Sequence, residues 1–297
     1  MENHSKSVLL IANPRAGKLK LKGYLSLISN IFISRGYDVT TRMTRWRLDA
    51  SDIAQSYASK YDLVVCCGGD GTLNEVVSGL MALPSPPPLG YIPMGTTNDF
   101  ASSLGISRDM IRAARKIIDG KPVKIDVGEM NGRYFTYIAS FGAFTESSYS
   151  TPQTAKNIMG HMAYILDGMS HVSSVKPCRM TVETAERVCS GEYIFGSISN
   201  STSIAGLVKL DSSHVDFSDG KFEVMLVKLP HTPAQLQKII NALLMKQYDC
   251  ELIEFFHTSR AKITVEEPIP WTLDGEYGNA STSVEIVNRR QALTIII

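Results

Sequence analysis

Two stretches of this chain place one carboxylate inside a glycine turn. They are "GGDGTLNE" (68–75), with Asp70 at its centre, and "PMGTTNDF" (93–100), with Asp99 near its end. Each follows an apolar run that reads as a buried strand and leads into a helical pattern. Such a turn favours an anion, because bare amides and a helix N-terminus both present positive charge. A carboxylate there repels the same anion unless it holds a cation that travels with it. Mg²⁺ on a nucleotide's phosphates meets that condition, since it takes oxygen ligands from one or two carboxylates and the phosphates themselves. The chemistry that fits is the binding of a phosphate-bearing ligand together with its cation.

Within the first turn, Gly68 and Gly69 allow close backbone approach, Gly71 can supply positive φ, and Thr72 and Glu75 have capping-box spacing. A purely structural turn accounts for every residue there except Asp70. Two further stretches are open to two readings each. "NPRAGK" (13–18) can offer amides and a lysine to a phosphate or be an ordinary strand-to-helix turn; it lacks the G-x-x-x-x-G-K-[ST] spacing. "WTLDGEYG" (271–278) is either a hairpin turn, for which Asp-Gly is the strongest short signal, or the source of a carboxylate base at Glu276 for an alcohol acceptor.

The elements that must position these residues follow from periodicity. Apolar runs at 8–12, 37–41, 63–66 and 89–93 read as strands. They alternate with helical segments over 21–32, from 49 or 51 onward, 72–83 and up to about 119. That alternation predicts an open, mostly parallel sheet, whose carboxyl edge is where ligands bind. Past residue 121 the pattern turns to hairpins and β-branched runs, interrupted by helical stretches at 155–169 and 233–247. The expected architecture is an α/β nucleotide domain over 1–125 and an antiparallel, β-rich, sandwich-like domain over 126–297. The last residues are expected to pack back on the first domain.

Thirty basic residues balance 29 acidic ones, so no global field gathers nucleic acid and any phosphate site is local. The five cysteines have no ligand spacing, and their odd number points to a reducing cytoplasm. No apolar run approaches about 18 residues, which leaves only peripheral contact with a membrane. His161, His171, His214, His231 and His257 form no ligand pattern. "RMTRWR" (42–47) reads equally as a solvated basic loop or as a partner for phosphates or anionic lipid. The apolar stripe of 233–247 is expected to pack into the core rather than dock on a bilayer.

With these residues in view, the chain resembles the lipid kinase family that holds the soluble bacterial diacylglycerol kinases and the catalytic domains of eukaryotic diacylglycerol, sphingosine and ceramide kinases. The resemblance runs nearly end to end, through "NPRAGK", "GGDGTLNEVVSGL", "PMGTTNDFASSLGI", "KIDVGEMNGRYF", the spacing in "TPQTAKNIMGHMAYI", "VDFSDGKFEVMLV" and "LDGE", in family order. "GGDGT" alone is shared with NAD kinases and phosphofructokinases. The resemblance implies an NAD-kinase-like nucleotide domain, a β-rich second domain, and an active site in the cleft between them. It implies transfer of the ATP γ-phosphate to a lipid hydroxyl, with diacylglycerol or a related glycerolipid as acceptor.

By motif, Asn13, Pro14, Arg15, Ala16, Gly17, Thr44, Gly68, Gly69, Asp70, Gly71, Thr72, Leu73, Asn74 and Thr96 are implied to line the nucleotide. Asp70 and Asp99 are implied to organise catalytic Mg²⁺ and water, and Glu276 to act as general base. A second, structural Mg²⁺ is implied at Asp219 with the carbonyls of Asp216 and Lys221. Two positions depart from the pattern: Ala16 stands where serine is usual, which removes one hydroxyl contact to phosphate, and Ala205 stands where a second glycine is common. The alternatives are a kinase with a soluble NAD-like or a sphingoid acceptor, and a silent nucleotide- or lipid-binding regulator. The implied setting is the cytoplasm and the inner membrane face, and an exposed edge strand can pair two copies.

Overall fold

The computed structural model describes residues 5–16, 21–142, 177–204 and 208–297. The chain divides into two compact units, Met1–Val127 with Arg290–Ile297, and Gly128–Arg289. The polypeptide therefore crosses from one unit to the other twice.

In the first unit, β1 (Lys6–Ala12), β2 (Tyr37–Met43), β3 (Leu63–Gly68) and β4 (Leu89–Pro93) pair in parallel, in the order β2-β1-β3-β4. Every residue of β3 and β4 is buried. Such strands read as unbroken apolar runs because helices cover both faces. On one face Val8, Leu10, Val65 and Ile92 pack with Ile28 and Phe32 of α1 (Leu21–Ile33) and with Ala113, Ala114 and Ile117 of α5 (Met110–Asp119). On the other lie α2 (Asp49–Tyr57) and α3 (Asp70–Met81), which pack on each other. That contact is close enough to require Gly79, where a Cβ would stand 2.3 Å from the Ser51 carbonyl. The short α4 (Asp99–Ser103) follows β4. Ile295 pairs in parallel with Leu89, and Lys121 and Ile297 exchange amide bonds of 2.8 and 3.1 Å.

Several boundaries differ from the sequence reading: β1 begins two residues earlier, at Lys6, and α3 ends at Met81 rather than 83. β2 and β3 each run two residues further, and α3 begins at Asp70 rather than Thr72. Gly69, extended at φ −90 and ψ −175, is the N-cap, so the acid expected at a loop centre is the first helical residue. The capping box of Thr72 and Glu75 does not form. Thr72 instead accepts a hydrogen bond from Asn13, and Glu75 accepts from the amides of Leu48 and Ala50 at the start of α2.

The second unit is antiparallel. β5 (Pro122–Met130), which begins in the first unit, ends in a hairpin with β6 (Arg133–Phe135), and β7 (Ile138–Gly142), β8 (Cys178–Glu183) and β9 (Val188–Ser199) follow. After the small pair β10 (Ser203–Ile204) and β11 (Val208–Lys209) come β12 (Phe222–Lys228), β13 (Ile253–Thr258), β14 (Arg260–Leu273) and β15 (Glu276–Ile296). The order is β13-β12-β9-β7-β14-β15, with β8 also between β9 and β14. Hydrogen bonds join these strands into one sheet, with β10–β11 a separate pair. The long strands β9 and β14 each carry two partners along one edge.

Those partners are β7 and β8, lying end to end. On β9, Phe195 pairs with Gly142 and Tyr193 with Cys178, so the two strands act as one interrupted strand. At the break Gly142 has φ +88, and a Cβ there would meet the Ile194 carbonyl at 2.3 Å, which leaves glycine as the fitting residue. The expected helix at 155–169, His161, His171 and Ala205 lie outside the described residues. The later helix, α6 (Pro233–Met245), is capped by Thr232 and buries Leu236, Ile239 and Ile240, while Leu244 and Met245 stay exposed. Among the described residues no helix is long and apolar enough to cross a membrane.

Candidate active site

Because β1, β3 and β4 are neighbours and parallel, their carboxyl ends bring three loops together. Asn13, just past β1, donates its amide to the Cys67 carbonyl at 3.0 Å and its side-chain amide to Thr72 Oγ1 at 2.9 Å. Its own side-chain oxygen accepts from the Arg15 amide, and its carbonyl from the Ala16 amide, which closes a tight turn around Pro14. Gly17, next in line, is outside the described residues. Thr44 follows β2, is buried, and donates its amide to the Ala12 carbonyl.

The β3 and β4 turns touch directly. A Cβ on Gly69 would stand 3.0 Å from the Gly95 Cα, and one on Gly95 would stand 2.7 Å from the Gly69 Cα. At Gly68 an added Cβ would fall 2.5 Å from Thr72 Cβ. These glycines let two loops and a helix start share a space that side chains would fill. Asn98, at φ 52 and almost fully buried, fixes the second loop: its carboxamide accepts from the Gly95 amide and donates to the Gly95 carbonyl, both at 2.8 Å. The Asp99 amide then donates to Asp70 Oδ2 at 3.2 Å.

The electrostatics agree with that proximity. Burial above all, and then the charges of Asp70, Cys66 and Asp99, push the Tyr91 phenol well above its usual range. Burial also raises the Cys66 thiol and pushes Cys67 up to about 12, so neither is a thiolate nucleophile near neutrality. Asp70, Gly71 and Asn74 are half-buried on the first turns of α3, and Thr96 is exposed in the β4 loop. Leu73, also expected to line the nucleotide, stands in the first turn of α3. Its side chain is wholly buried in the core, and its amide makes the first intrahelical bond, to Gly69.

The "LDGE" residues, on the second unit, separate into two roles. Asp274 and Gly275, with φ 50 and 80, form a two-residue hairpin turn between Leu273 and Glu276. Asp274 is also buried, and its carboxylate accepts four bonds of 2.6 to 3.1 Å, from the amides of Thr136, Tyr137 and Ile138 and the Thr136 hydroxyl. Glu276 is exposed as the first residue of β15. In the loop before β12, Asp216 accepts from the amide and hydroxyl of Ser218, and Asp219 accepts from the Lys221 amide. No group of three or more His, Cys, Asp or Glu side chains gathers as a metal cluster among the described residues.

Sequence reasoning overlooked Asn98, Tyr91 and the anchoring role of Asp274. For Asn98 a signal exists, since asparagine is a residue that tolerates the left-handed region in a turn. The partners of Asp274 are more than 130 positions away and leave no local mark.

Comparison with known proteins shows what the chain is similar to. Residues 7–130 match the diacylglycerol kinase catalytic domain. The chain is 36% identical over 296 residues to the diacylglycerol kinase of Bacillus subtilis (strain 168), covering 98% of this chain and 96% of that one. It is 33% identical over 275 residues to a Staphylococcus epidermidis diacylglycerol kinase, covering 92% and 86%. Two crystal structures from Bacillus anthracis str. Sterne share the fold. One has a TM-score of 0.81 at 27% identity and covers 100% of this chain and 98% of that one. The other, of a diacylglycerol kinase, has a TM-score of 0.75 at 24% identity and covers 98% and 96%. With its two acid-bearing turns joined at adjacent strand ends and relatives matched along nearly its whole length, the chain belongs to the diacylglycerol kinase family, a family of lipid kinases.

Proposed function

We propose that this protein transfers the γ-phosphate of ATP to the free hydroxyl of a diacylglycerol or a closely related glycerolipid, giving a phosphatidic-acid-type product and ADP. The observation that carries this reading is the Asp99-to-Asp70 hydrogen bond between turns whose glycines leave backbone open to a nucleotide. Asn13 through Ala16, Thr44, Gly68 to Thr72, Asn74 and Thr96 are proposed to border ATP. Leu73 supports them from the core.

Asp70 and Asp99 suit Mg²⁺ by donor type, as hard carboxylate oxygens on neighbouring turns, and the ion arriving with the nucleotide supplies charge neutralisation on its phosphates. The protein's own work is orientation. A rigid β3–β4 loop pair fixes where the phosphates lie, and excluded side chains bring the amides near them. Glu276 is proposed to take the acceptor's hydroxyl proton as that oxygen bonds to phosphorus and ADP leaves with the electron pair of the broken bond. Its exposure makes it accessible to an acceptor. Asp219, with the carbonyls of Asp216 and Lys221, is proposed to hold a structural Mg²⁺.

The test is thin-layer chromatography of products from purified protein, γ-labelled ATP, Mg²⁺ and a panel of dispersed lipids, with NAD as a lipid-free arm. Label on diacylglycerol is the expected result. Label on NAD alone, or nucleotide binding without transfer to any lipid, overturns the reading.

A further inference from the structure

The loop joining β2 to α2, "TRWRLD", carries the exposed Trp46 and Leu48, at 56% and 57% of their full accessibility. Leu48 adopts φ 68, a left-handed conformation that costs a leucine energy and a glycine almost none. The backbone uses that conformation, since Leu48 is the N-cap of α2 and its carbonyl accepts from the amides of Ser51 and Asp52, while the side chain it displays ends in solvent. The loop is nonetheless held firmly. The Arg45 guanidinium lies 3.9 Å above the Trp46 ring and bonds both oxygens of the buried Asp49, and Glu75 accepts from the Leu48 amide at 2.9 Å and the Ala50 amide at 3.3 Å. A rigid mount that displays a tryptophan and a strained leucine is the structure of an anchor, since pre-ordered groups lose little entropy when they bind.

The occupant follows from composition. Arg45 and Arg47 are exposed on the loop, whereas Asp49 is buried against Arg45, Glu75 is half-buried beneath the loop amides and Asp52 is the exposed acid of the adjoining turn, so the exposed charge beside Trp46 is net positive. Tryptophan with leucine among arginines matches the boundary of an anionic bilayer, where the indole sits at headgroup level, the aliphatic chain enters the acyl region and the cations meet phosphates. We propose that the β2–α2 loop, through Trp46 and Leu48, is a surface by which the first unit docks on an anionic membrane. The docking presumes the lipid acceptor proposed above, but its test requires no turnover.

The chain has two tryptophans, and Trp271 is wholly buried, so vesicle-induced emission changes report Trp46. With vesicles of phosphatidylglycerol and phosphatidylcholine, the emission of the intact protein shifts to the blue and is quenched by brominated lipid. The Trp46→Phe protein, whose remaining indole is Trp271, shows neither change. Leu48→Gly relieves the backbone and keeps the fold, and it lowers vesicle co-sedimentation roughly five- to tenfold. Turnover of Leu48→Gly on lipid in detergent micelles stays at the unmodified level. Co-sedimentation of Leu48→Gly and Trp46→Ala equal to the unmodified protein overturns the proposal. So does a Trp46 signal that responds to ATP alone and not to vesicles, which would make the ring a nucleobase platform. Loss of micelle turnover in the unmodified protein strikes instead at the lipid kinase reading and leaves the vesicle result standing.

Discussion

The backbone amide of Asp99 donates to the Asp70 carboxylate across 3.2 Å, which ties together two glycine turns 29 residues apart. The bond leaves Asp70 with a defined orientation at the start of α3. Contact between Gly69 and Gly95 does the rest, because a side chain on either glycine would separate the turns.

Asp70→Asn keeps an oxygen to accept from Asp99 and removes the charge. Turnover is expected to fall at least about a hundredfold with the melting temperature unchanged, the result that follows if Asp70 serves the nucleotide's Mg²⁺ as proposed. Phosphate-transfer assays beside a thermal melt separate the cases. Near-normal turnover would remove the metal role, and a large drop in melting temperature would mark Asp70 as a structural acid.

Glu276 and Asp274 stand two positions apart and are expected to respond oppositely. Glu276→Gln changes an exposed residue and should reduce kcat by roughly 10²–10⁴-fold at constant ATP affinity, the range for losing a general base. Asp274→Asn puts an NH₂ group among four donors. It should destabilise the fold by about 2–4 kcal/mol, because buried amides lose a charged acceptor. Denaturant titration and single-turnover kinetics on both proteins check the pair. A stable, inactive Asp274→Asn would reverse the assignment.

The proposed metal at Asp219 has its own signature. If the ion is bound, chelator lowers the melting temperature of the unmodified protein, and Asp219→Ala melts at the lower temperature with or without chelator, as linkage to a folded-state ligand requires. Identical curves in all conditions would leave Asp219 as a turn residue that accepts from the Lys221 amide.

How far such features were readable depended on the range of the interactions that make them. β1, β3 and β4 are legible because a strand covered on both faces is a continuous apolar run. β2 is only partly buried, and its last residues, Arg42 and Met43, carry no apolar alternation to mark its end. The closeness of Asp70 and Asp99 was readable in outline, since both follow strands expected to be adjacent. α3 starts two residues before the expected cap, which Thr72 and Glu75 imitate while bonding to residues 59 and 27 positions away. The interrupted strand of β7 and β8 left no sequence trace at all. Its two pieces share a line only because β9 and β14 hold them there.

Acid should weaken the first unit through the same loop that carries Trp46. The Arg45 side chain is the main cause that holds the Asp49 carboxyl below its usual value. Burial opposes the shift, and the Arg45 amide adds to it. A carboxylate depressed in the folded state stabilises the protein above its unfolded pKa, and that contribution disappears as pH falls through the folded value. Asp62 works in the same direction, held down first by the Ser7 amide and then by its hydroxyl. The stability of the unmodified protein is therefore expected to decline below about pH 4, the unfolded carboxylate range. Asp49→Asn should be less stable at neutral pH and show a shallower acid decline, because the titrating group is gone. Denaturant midpoints measured from pH 7 down to about pH 2 test this, given that a carboxylate depressed on folding accounts for such a slope. Parallel curves for the two proteins would mean that Asp49 takes up its proton at the same pH whether or not the chain is folded.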